Sequence, residues 1–350
     1  MVWARDGMGR QGCSMDARRD GRVSLGALYS MVMSAIRVAV IQDAPVAFDR
    51  DATLAKVRAL TAEAAGMGAR LVLFPEAFLS GYPKGVTFGA HVGSRSDEGR
   101  RQFQAYWDSA VDVPGSACDE LASIAREHAV LLVIGVIERE GGTLYCSVLF
   151  FDQNGTLLGK HRKLIPTAME RIIWGTGDGS TLPVFETDAG RVGAVICWEN
   201  YMPLLRTAMY GKQIQIYCAP TVDDREVWQS TMRHIAVEGR CFVLNACQFA
   251  RRGDFPANFL PMQGAAGDTV LIRGGSSIVS PFGEVIAGPL YDQAGIVTAD
   301  IDLAQIVQGK FDLDVVGHYA RPDIFRVEVN EQPSPPVVYC GPDKRSSASK

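Results

Sequence analysis

From Ile36 onward, short runs of β-branched and other apolar residues alternate with segments of helical periodicity. This alternation is typical of an α/β domain. The predicted strands are 36–42, 70–75, 130–137, 144–151, 157–163, 191–197, 213–219, 241–247, 276–280 and 295–301. The predicted helices are 52–66, 97–110, 117–128, 201–211, 225–239 and 302–309. Asn154-Gly155 and Pro281–Gly283 separate strand-like runs and predict hairpins, so the sheets should be mixed.

The two halves of this pattern are alike, since strands and helices alternate in each. We therefore expect two mixed sheets stacked face to face with helices outside them, a four-layer α-β-β-α sandwich formed by one domain over residues 35–330. Residues 1–34 are rich in Arg, Gly and Met, and we expect a disordered extension with no signal peptide. Residues 331–350 are rich in Pro and Ser and predict a mobile tail.

Composition excludes several classes of function. No stretch of 18 apolar residues predicts a transmembrane helix, and a net charge of −4 argues against nucleic acid as a partner. None of the eight cysteines forms a C-x-x-C pair, and most lie in apolar runs, which is typical of reduced, buried thiols in a cytoplasmic protein. The five histidines have no ligand spacing, so we expect no metal.

Three residues with reactive side chains follow or end apolar runs. Glu76 follows Leu71–Pro75, Lys163 ends the run from Leu157, and Cys197 closes the run from Arg191. Active sites of α/β sheets gather at the carboxyl ends of strands, so the three could converge. Taken singly, each also fits a structural role, as a solvated loop carboxylate, a surface base and an inert core thiol.

Together the three make a chemical set. A thiol must be ionised to attack, and the helix that follows Cys197 and a nearby Lys163 should both favour the thiolate. A carboxylate within hydrogen-bond reach can take the thiol proton and deliver it to a leaving nitrogen. Glu76, Lys163 and Cys197 would then supply a base, a stabilising cation and a nucleophile with no cofactor.

Eight ordered segments resemble the signature blocks of the nitrilases, a branch of the carbon–nitrogen hydrolase superfamily. They are FPEAFLSGYPKG (74–85), GKHRKLIPTAMER (159–171), WGTGDGST (174–181), VICWENYMPLLR (195–206), IYCAPT (216–221), HIAVEGRCFVLNACQ (234–248), GGSSIVSPFG (274–283) and GHYARPD (317–323). The resemblance runs from about residue 37 to about residue 329, and eight blocks in order are far more specific than a lone C-W-E.

The resemblance implies roles for particular residues. Glu76 would be the general base, Lys163 the stabilising group and Cys197 the nucleophile, while Glu170 would orient Lys163 or the hydrolytic water. An ion pair of Glu170 with Arg162 or Arg171 is the structural alternative. The implied reaction converts a nitrile to its carboxylic acid and ammonia through a cysteine thioimidate, with minor amide release. The resemblance also implies homodimers that assemble into larger spirals.

The substrate pocket is expected to draw on aromatic residues near these blocks. Candidate binding residues are Trp174, Trp198, Tyr201 and Thr221, and the loops 81–89 and 221–228 should contribute. For the aromatic residues, packing in the core is the alternative. An aromatic pocket suits aryl or arylalkyl nitriles, while β-cyanoalanine and aliphatic dinitriles remain open. Glu199 is expected to cap a helix or support its loop.

Other functions remain as alternatives. An amidase or carbamoylase of the same superfamily would use the same three residues on an amide or ureide, and a non-catalytic assembly protein could share the fold. A serine hydrolase lacks support because no G-x-S-x-G occurs. A dinucleotide enzyme is disfavoured because Gly175, Gly177 and Gly179 are spaced G-x-G-x-G, without the third glycine at the required position.

Overall fold

The computed structural model describes residues 35–338, so the predictions for residues 1–34 and for 339–350 lie outside the described residues. The strands are β1 Ile36–Gln42, β2 Leu71–Leu73, β3 Leu131–Glu140, β4 Thr143–Phe151, β5 Leu157–Arg162, β6 Val184–Thr187, β7 Gly190–Ala194, β8 Ile216–Thr221, β9 Phe242–Cys247, β10 Phe249–Arg251, β11 Val270–Val279, β12 Val285–Tyr291 and β13 Gly295–Ile301. The α-helices are α1 Arg50–Gly66, α2 Asp97–Ser109, α3 Ser116–His128, α4 Pro203–Gly211, α5 Glu226–Gly239 and α6 Ala304–Lys310.

The strands form two mixed sheets. The first has the order β13-β1-β2-β3-β4-β5, and the second has the order β10-β11-β9-β8-β7-β6 with β12 paired to β11. In each sheet three neighbouring strands are parallel, β1 to β3 in the first and β7 to β9 in the second. Antiparallel strands flank each group of three parallel strands. The two predicted hairpins join antiparallel pairs among them, β4 with β5 and β11 with β12. The carboxyl ends of the central strands therefore lie together at one edge of each sheet.

Apolar residues on both faces of the sheets produce four layers. Val38 and Leu73 of the first sheet share one buried cluster with Ile216 and Leu244 of the second, so the sheets pack face to face. Successive side chains of a strand point to opposite faces of the sheet, and those on the other face of the first sheet pack on α1 and α3. The outer face of the second sheet packs on α4 and α5 in the same way. The predicted α-β-β-α sandwich is confirmed.

Gln42 links the two sheets by polar contacts in the core. Its amide nitrogen donates to the carbonyls of Leu290 and Gln293, each at 2.8 Å, and its amide oxygen accepts from the backbone N–H groups of Gly275 and Ser276, each at 2.9 Å. Gln42 lies on β1, whereas these partners lie on or beside β11 and β12. One buried amide therefore ties β1 of the first sheet to β11 and β12 of the second.

The differences from the predicted elements have local causes. The strands β6, β10 and β12 were not predicted, because two are only three or four residues long and β12 is interrupted by Gly288-Pro289. The helix expected from Tyr201 begins at Pro203, after a turn of 3₁₀ helix. The first helix begins at Arg50, two residues before its predicted start, and Asp49 caps it by accepting from Ala52 N at 2.9 Å.

Residues 331–338 have no regular secondary structure, but two of them contact the domain. The backbone N–H of Ser334 donates to Asp178 at 2.7 Å, and Glu331 pairs with Lys212. Within residues 35–338 no helix is long and apolar enough to cross a membrane. The same residues contain no cluster of three or more His, Cys, Asp or Glu side chains arranged to hold a metal ion.

Candidate active site

The ends of three strands bring Glu76, Lys163 and Cys197 together. Glu76 follows β2 and Lys163 directly follows β5, both in the first sheet, whereas Cys197 follows β7 of the second sheet. All three side chains are buried. The site is thus assembled across the two sheets, with its base and its cation on one sheet and its thiol on the other.

Lys163 lies between two carboxylates. Its Nζ is 2.7 Å from Glu76 Oε1 and 2.8 Å from Glu170 Oε2. Burial opposes the charge of Lys163, but the neighbouring carboxylate of Glu76 raises its pKa well above the ordinary lysine value, and Glu170 adds to this effect. The side chain is therefore a fixed cation, since an ammonium with two charge-assisted bonds in a dry site holds its proton.

Glu76 presents one free oxygen to the site. Its Oε1 accepts from Lys163 and from the thiol of Cys146, the latter at 3.6 Å. Its Oε2 is buried and has no hydrogen-bond partner among the described residues. Burial raises the pKa of Glu76 above the ordinary glutamate value, although Lys163 opposes this rise. A buried carboxylate with one free oxygen and a raised pKa is suited to take a proton.

The turn that carries Cys197 is held in a strained conformation. Cys197 has φ of +50°, in the left-handed region that non-glycine residues seldom adopt. The amide of Asn200 donates to the carbonyls of Val195 and Cys197 at 3.0 and 2.7 Å, and its oxygen accepts from Tyr217 at 2.9 Å. These bonds fix the backbone on both sides of the thiol.

The thiol of Cys197 is neutral at rest. Burial and the negative charge of Glu76 raise its pKa, and the opposing effects of Lys163 and of a hydrogen bond from Thr221 are smaller. The thiolate expected from Lys163 and the helix is therefore not the resting form. Thr221 Oγ1 donates to Sγ at 3.1 Å, which leaves the thiol proton free to be transferred.

Glu170 belongs to the buried charge cluster. Its Oε2 accepts from Lys163 and from the backbone N–H of Thr167 at 2.6 Å, and its Oε1 accepts from Tyr82 at 2.7 Å. The alternative, an ion pair with Arg162 or Arg171, is wrong: Arg162 pairs with Glu138 and Glu140. Arg171 donates to the carbonyl of Pro166.

Two adjoining cavities lead to this cluster. The first, of about 200 Å³, is lined by Tyr82, Lys84, Thr167, Glu170, Cys197, Trp198, Val222, Asp223, Asp224 and Arg225. The second, of about 320 Å³, is lined by Tyr82–Phe88, Met169, Glu170, Ile172, Ile173, Met262 and Gln263. They share Tyr82, Lys84 and Glu170. The cavity at the thiol is thus rich in charged side chains, and its neighbour is largely apolar.

The four candidate binding residues lie at different distances from the cavity. Trp198 lines it, is 43% exposed and donates to Asp223 at 2.8 Å. Thr221 touches the thiol and is fully buried. Trp174 is buried behind the cluster, with its ring 5.5 Å from Lys163 Nζ. Tyr201 does not line the cavity and stacks edge-on against Trp198.

Sequence reasoning missed Tyr82 and Cys146 as partners of the cluster. Tyr82 lies in the predicted loop 81–89, and the block around it was the signal that could have singled it out. Cys146 lies inside an apolar run, like the inert thiols, so no local pattern indicates that its thiol faces Glu76.

Three comparisons bear on this site. The model of the carbon-nitrogen hydrolase family matches residues 37–311. A bifunctional nitrilase/nitrile hydratase of Nicotiana tabacum is 53% identical over 90% of this chain and 91% of its own length. An aliphatic nitrilase of Sinorhizobium fredii is 56% identical over 87% of this chain and 99% of its own length. An amidase from Nesterenkonia has a similar fold, with a TM-score of 0.59 and 21% identity over 79% of this chain and 95% of that protein.

Proposed function

The chain belongs to the carbon–nitrogen hydrolase family, in its nitrilase branch, and we propose that it hydrolyses a nitrile to the carboxylic acid and ammonia with Cys197 as the covalent nucleophile. The observation that carries the proposal is a buried thiol that lines a cavity and lies beside a buried pair formed by a carboxylate with a free oxygen and a fixed cation. This set needs no cofactor, because it contains a nucleophile, a base and a positive charge.

The first step activates the thiol. Because the pKa of Cys197 is raised, the thiol needs a base, and Glu76 Oε2 is free to take its proton. Sulfur then attacks the nitrile carbon, and one C–N π bond breaks as the C–S bond forms. Glu76 returns the proton to nitrogen, which gives a neutral thioimidate. Lys163 and the N–H of Trp198, which lies in the first turn of a helix, stabilise the negative charge that develops on nitrogen.

The next steps consume two water molecules. Glu76 takes a proton from the first water as its oxygen adds to the thioimidate carbon, and then protonates nitrogen so that ammonia leaves and a thioester remains. A second water hydrolyses the thioester to the acid and restores the thiol. Glu170 orients Lys163 through their 2.8 Å contact. If the first tetrahedral intermediate loses sulfur instead of ammonia, the product is an amide, and the relative from Nicotiana tabacum carries both activities in its name.

The substrate is expected to place its nitrile in the charged cavity and its remaining part in the apolar one. Trp198 and the loop 222–225 surround the reacting end, and Met169, Ile172 and Ile173 surround the other. Lys84 lines both cavities. An apolar group of aryl or alkyl type fits the larger cavity, and a carboxylate on the substrate would meet Lys84.

Product analysis over a nitrile panel tests the proposal. The panel contains β-cyanoalanine, phenylacetonitrile, 3-phenylpropionitrile and an aliphatic dinitrile, each beside its matching amide, and both ammonia and acid are measured. We expect ammonia and acid from at least one nitrile, and none from Cys197→Ala. Faster release from the amides would identify an amidase, and turnover by Cys197→Ala would exclude the covalent mechanism.

We also propose that the protein acts in the cytoplasm as a homodimer that assembles further into spirals. The exposed apolar side chains of Leu204 on α4, Val227 on α5 and Val307 on α6 support a contact between copies, because such residues are costly to leave in water. Size-exclusion chromatography with light scattering, on the full chain and on a chain ending at residue 330, measures the assembly. A monomer at all concentrations would contradict it.

A further inference from the structure

His161 and Glu199 form a buried pair that the mechanism above does not use. His161 lies on β5, two residues before Lys163, and Glu199 lies in the turn two residues after Cys197. His161 Nε2 is 3.0 Å from Glu199 Oε2, and both side chains are fully buried. Neither side chain lines the two cavities beside the thiol. Any effect of the pair on the reaction therefore passes through the residues beside it.

The hydrogen bonds of His161 define where its protons lie. Nδ1 is 2.6 Å from the carbonyl oxygen of Thr181, which can only accept, so Nδ1 carries a proton. Nε2 faces a carboxylate oxygen that already accepts from the backbone N–H of Ile196 at 2.9 Å. A proton must therefore lie between Nε2 and Oε2 as well. The pKa of His161, raised by Glu199 and the Thr181 carbonyl, assigns this proton to the ring, so the pair is an imidazolium bonded to a carboxylate.

The carboxylate of Glu199 accepts hydrogen bonds from both the segment that carries Lys163 and the segment that carries Cys197. Its Oε1 accepts from the N–H of Leu164 at 2.5 Å, and its Oε2 accepts from the N–H of Ile196. Leu164 directly follows Lys163, and Ile196 directly precedes Cys197. One side chain thus joins the peptide beside the cation on the first sheet to the peptide beside the thiol on the second.

We propose that His161 and Glu199 are positioning residues, whose buried ion pair fixes the strand end that carries Lys163 against the turn that carries Cys197. If the shared proton leaves, the lone pair of Nε2 faces a carboxylate at hydrogen-bond distance and repels it. Glu199 then releases one of its two peptide N–H groups, and the thiol moves relative to Lys163 and Glu76. This inference rests on the proposed function in one respect: nitrile hydrolysis is the reaction that the alignment of Lys163 with Cys197 would support.

Few charged groups face this proton. Lys160 and Arg162, the neighbours of His161 on β5, bond to Glu138 on the other face of the strand. On β4 the residue opposite His161 is Val148, and the turn 179–181 offers the carbonyl of Thr181. Burial lowers the pKa of His161, but Glu199 and this carbonyl raise it above the ordinary histidine value. The ion pair is thus complete below pH ~6.5 and is lost as pH rises through the raised pKa.

Two substitutions and a control test the proposal in the full-length protein. His161→Gln keeps an N–H donor towards Glu199 but cannot titrate, whereas His161→Leu leaves Glu199 as an unpaired buried charge. His234→Gln is the matched control, because His234 forms an exposed pair with Glu238 at 3.5 Å. The readouts are the ¹⁵N shifts of the labelled histidine rings, the rate of Cys197 alkylation by iodoacetamide followed by peptide mass spectrometry, and kcat, each against pH.

We expect the ¹⁵N shifts of His161 to show that both ring nitrogens are protonated at pH 7. The two ¹⁵N resonances of this ring should be absent from the spectrum of His161→Gln. His161→Leu should lower the alkylation rate and kcat by about 10²-fold. His161→Gln should lower both by less, and it should lack the fall at alkaline pH that loss of the His161 proton causes in the wild type. His234→Gln should match the wild type. An unprotonated Nε2 at pH 7, or a wild-type profile in His161→Leu, overturns the proposal. If His161→Leu does not fold, the ring shifts and His161→Gln still decide it. The ring shifts and the alkylation rate are measured without a nitrile, so a protein that meets the expectations for these two readouts without hydrolysing nitriles refutes the proposed function alone.

Discussion

At the scale of single residues, the charges of the site lie on Glu76, Glu170 and Lys163, whereas the thiol of Cys197 is neutral. Burial raises the pKa of Cys197 and also that of Glu76, so the stronger hold of the thiol on its proton is met by a base of raised proton affinity. A carboxylate of raised pKa takes a proton more readily than one of ordinary pKa would. Lys163, at 2.7 Å, offsets part of the cost of burying Glu76.

The raised pKa of Glu76 should be visible as an acid limb of kcat/KM. Glu76 must be ionised to take the thiol proton, so the rate falls as pH drops through its pKa, which lies above the ordinary value of about 4.3. The measurement is kcat/KM on the best nitrile of the panel, with circular dichroism at each pH to exclude unfolding. A profile that stays flat down to pH ~4 would show that Glu76 is not the base.

At the scale of elements, strand β5 separates two ionic clusters by its alternation. His161 and Lys163 face the site, while Lys160 and Arg162 face Glu138 on β3. Glu138 is almost fully buried and also accepts from Ser147 at 2.9 Å. Burial opposes its charge, but the bonds from Arg162 and Lys160 outweigh this and lower its pKa. This cluster anchors the strand end that delivers Lys163.

Glu138→Gln should therefore destabilise the protein at neutral pH. A carboxylate with a lowered pKa contributes stability above its unfolded pKa and loses it as pH falls through the folded value. We expect the substitution to cost about 1.5–3 kcal/mol of unfolding free energy at pH 7, and the difference from the wild type to shrink below pH ~4. Urea unfolding at both pH values measures it.

The matched control is Glu140→Gln, on the same strand. Glu140 bonds to Arg162 at 2.9 Å, but its side chain is 64% exposed. An exposed ion pair contributes about 0–1 kcal/mol, so this substitution should have a small effect at either pH. Equal effects of the two substitutions would mean that burial does not set the strength of the Glu138 cluster.

The elements of this fold were largely predictable, and the contacts of the site were not. Periodicity located all six α-helices found within residues 35–338, because their apolar residues recur at the helical period, and it missed short or Gly-Pro-interrupted strands such as β12. The positions of Glu76, Lys163 and Cys197 at strand ends could be read from the apolar runs. Their mutual distances, the neutral thiol and the pair of His161 with Glu199 depend on how one sheet lies on the other, which no local pattern encodes.

At the scale of the whole molecule, the site depends on the alignment of the two sheets. Glu76 and Lys163 come from the first sheet and Cys197 from the second. Two buried amides join the sheets near these residues: Gln42 bonds to β11 and β12, and Gln248 donates to the carbonyl of Glu76 at 2.7 Å. A displacement between the sheets would part the thiol from its base without unfolding either sheet.

Gln42→Met should lower stability and kcat together. The substitution keeps the approximate volume but leaves two buried N–H groups and two carbonyls without their side-chain partner. We expect a loss of about 2–4 kcal/mol in urea unfolding and a clear fall in kcat. Gln215→Met is the control, because the oxygen of Gln215 accepts from Arg191 N at 2.9 Å within the second sheet. If Gln215→Met lowers kcat as much as Gln42→Met, sheet alignment is not the cause.

The pairing of β13 with β1 has a consequence for biosynthesis. Residues 36–42 leave the ribosome early, but their edge partner is residues 295–301, near the end of the domain. At ordinary synthesis rates, roughly 10 to 50 s separate the two. During that interval the nascent chain carries an apolar strand with one edge open to other chains. The need for chaperones therefore arises during synthesis, and the folded protein, in which this edge is paired, does not reveal it.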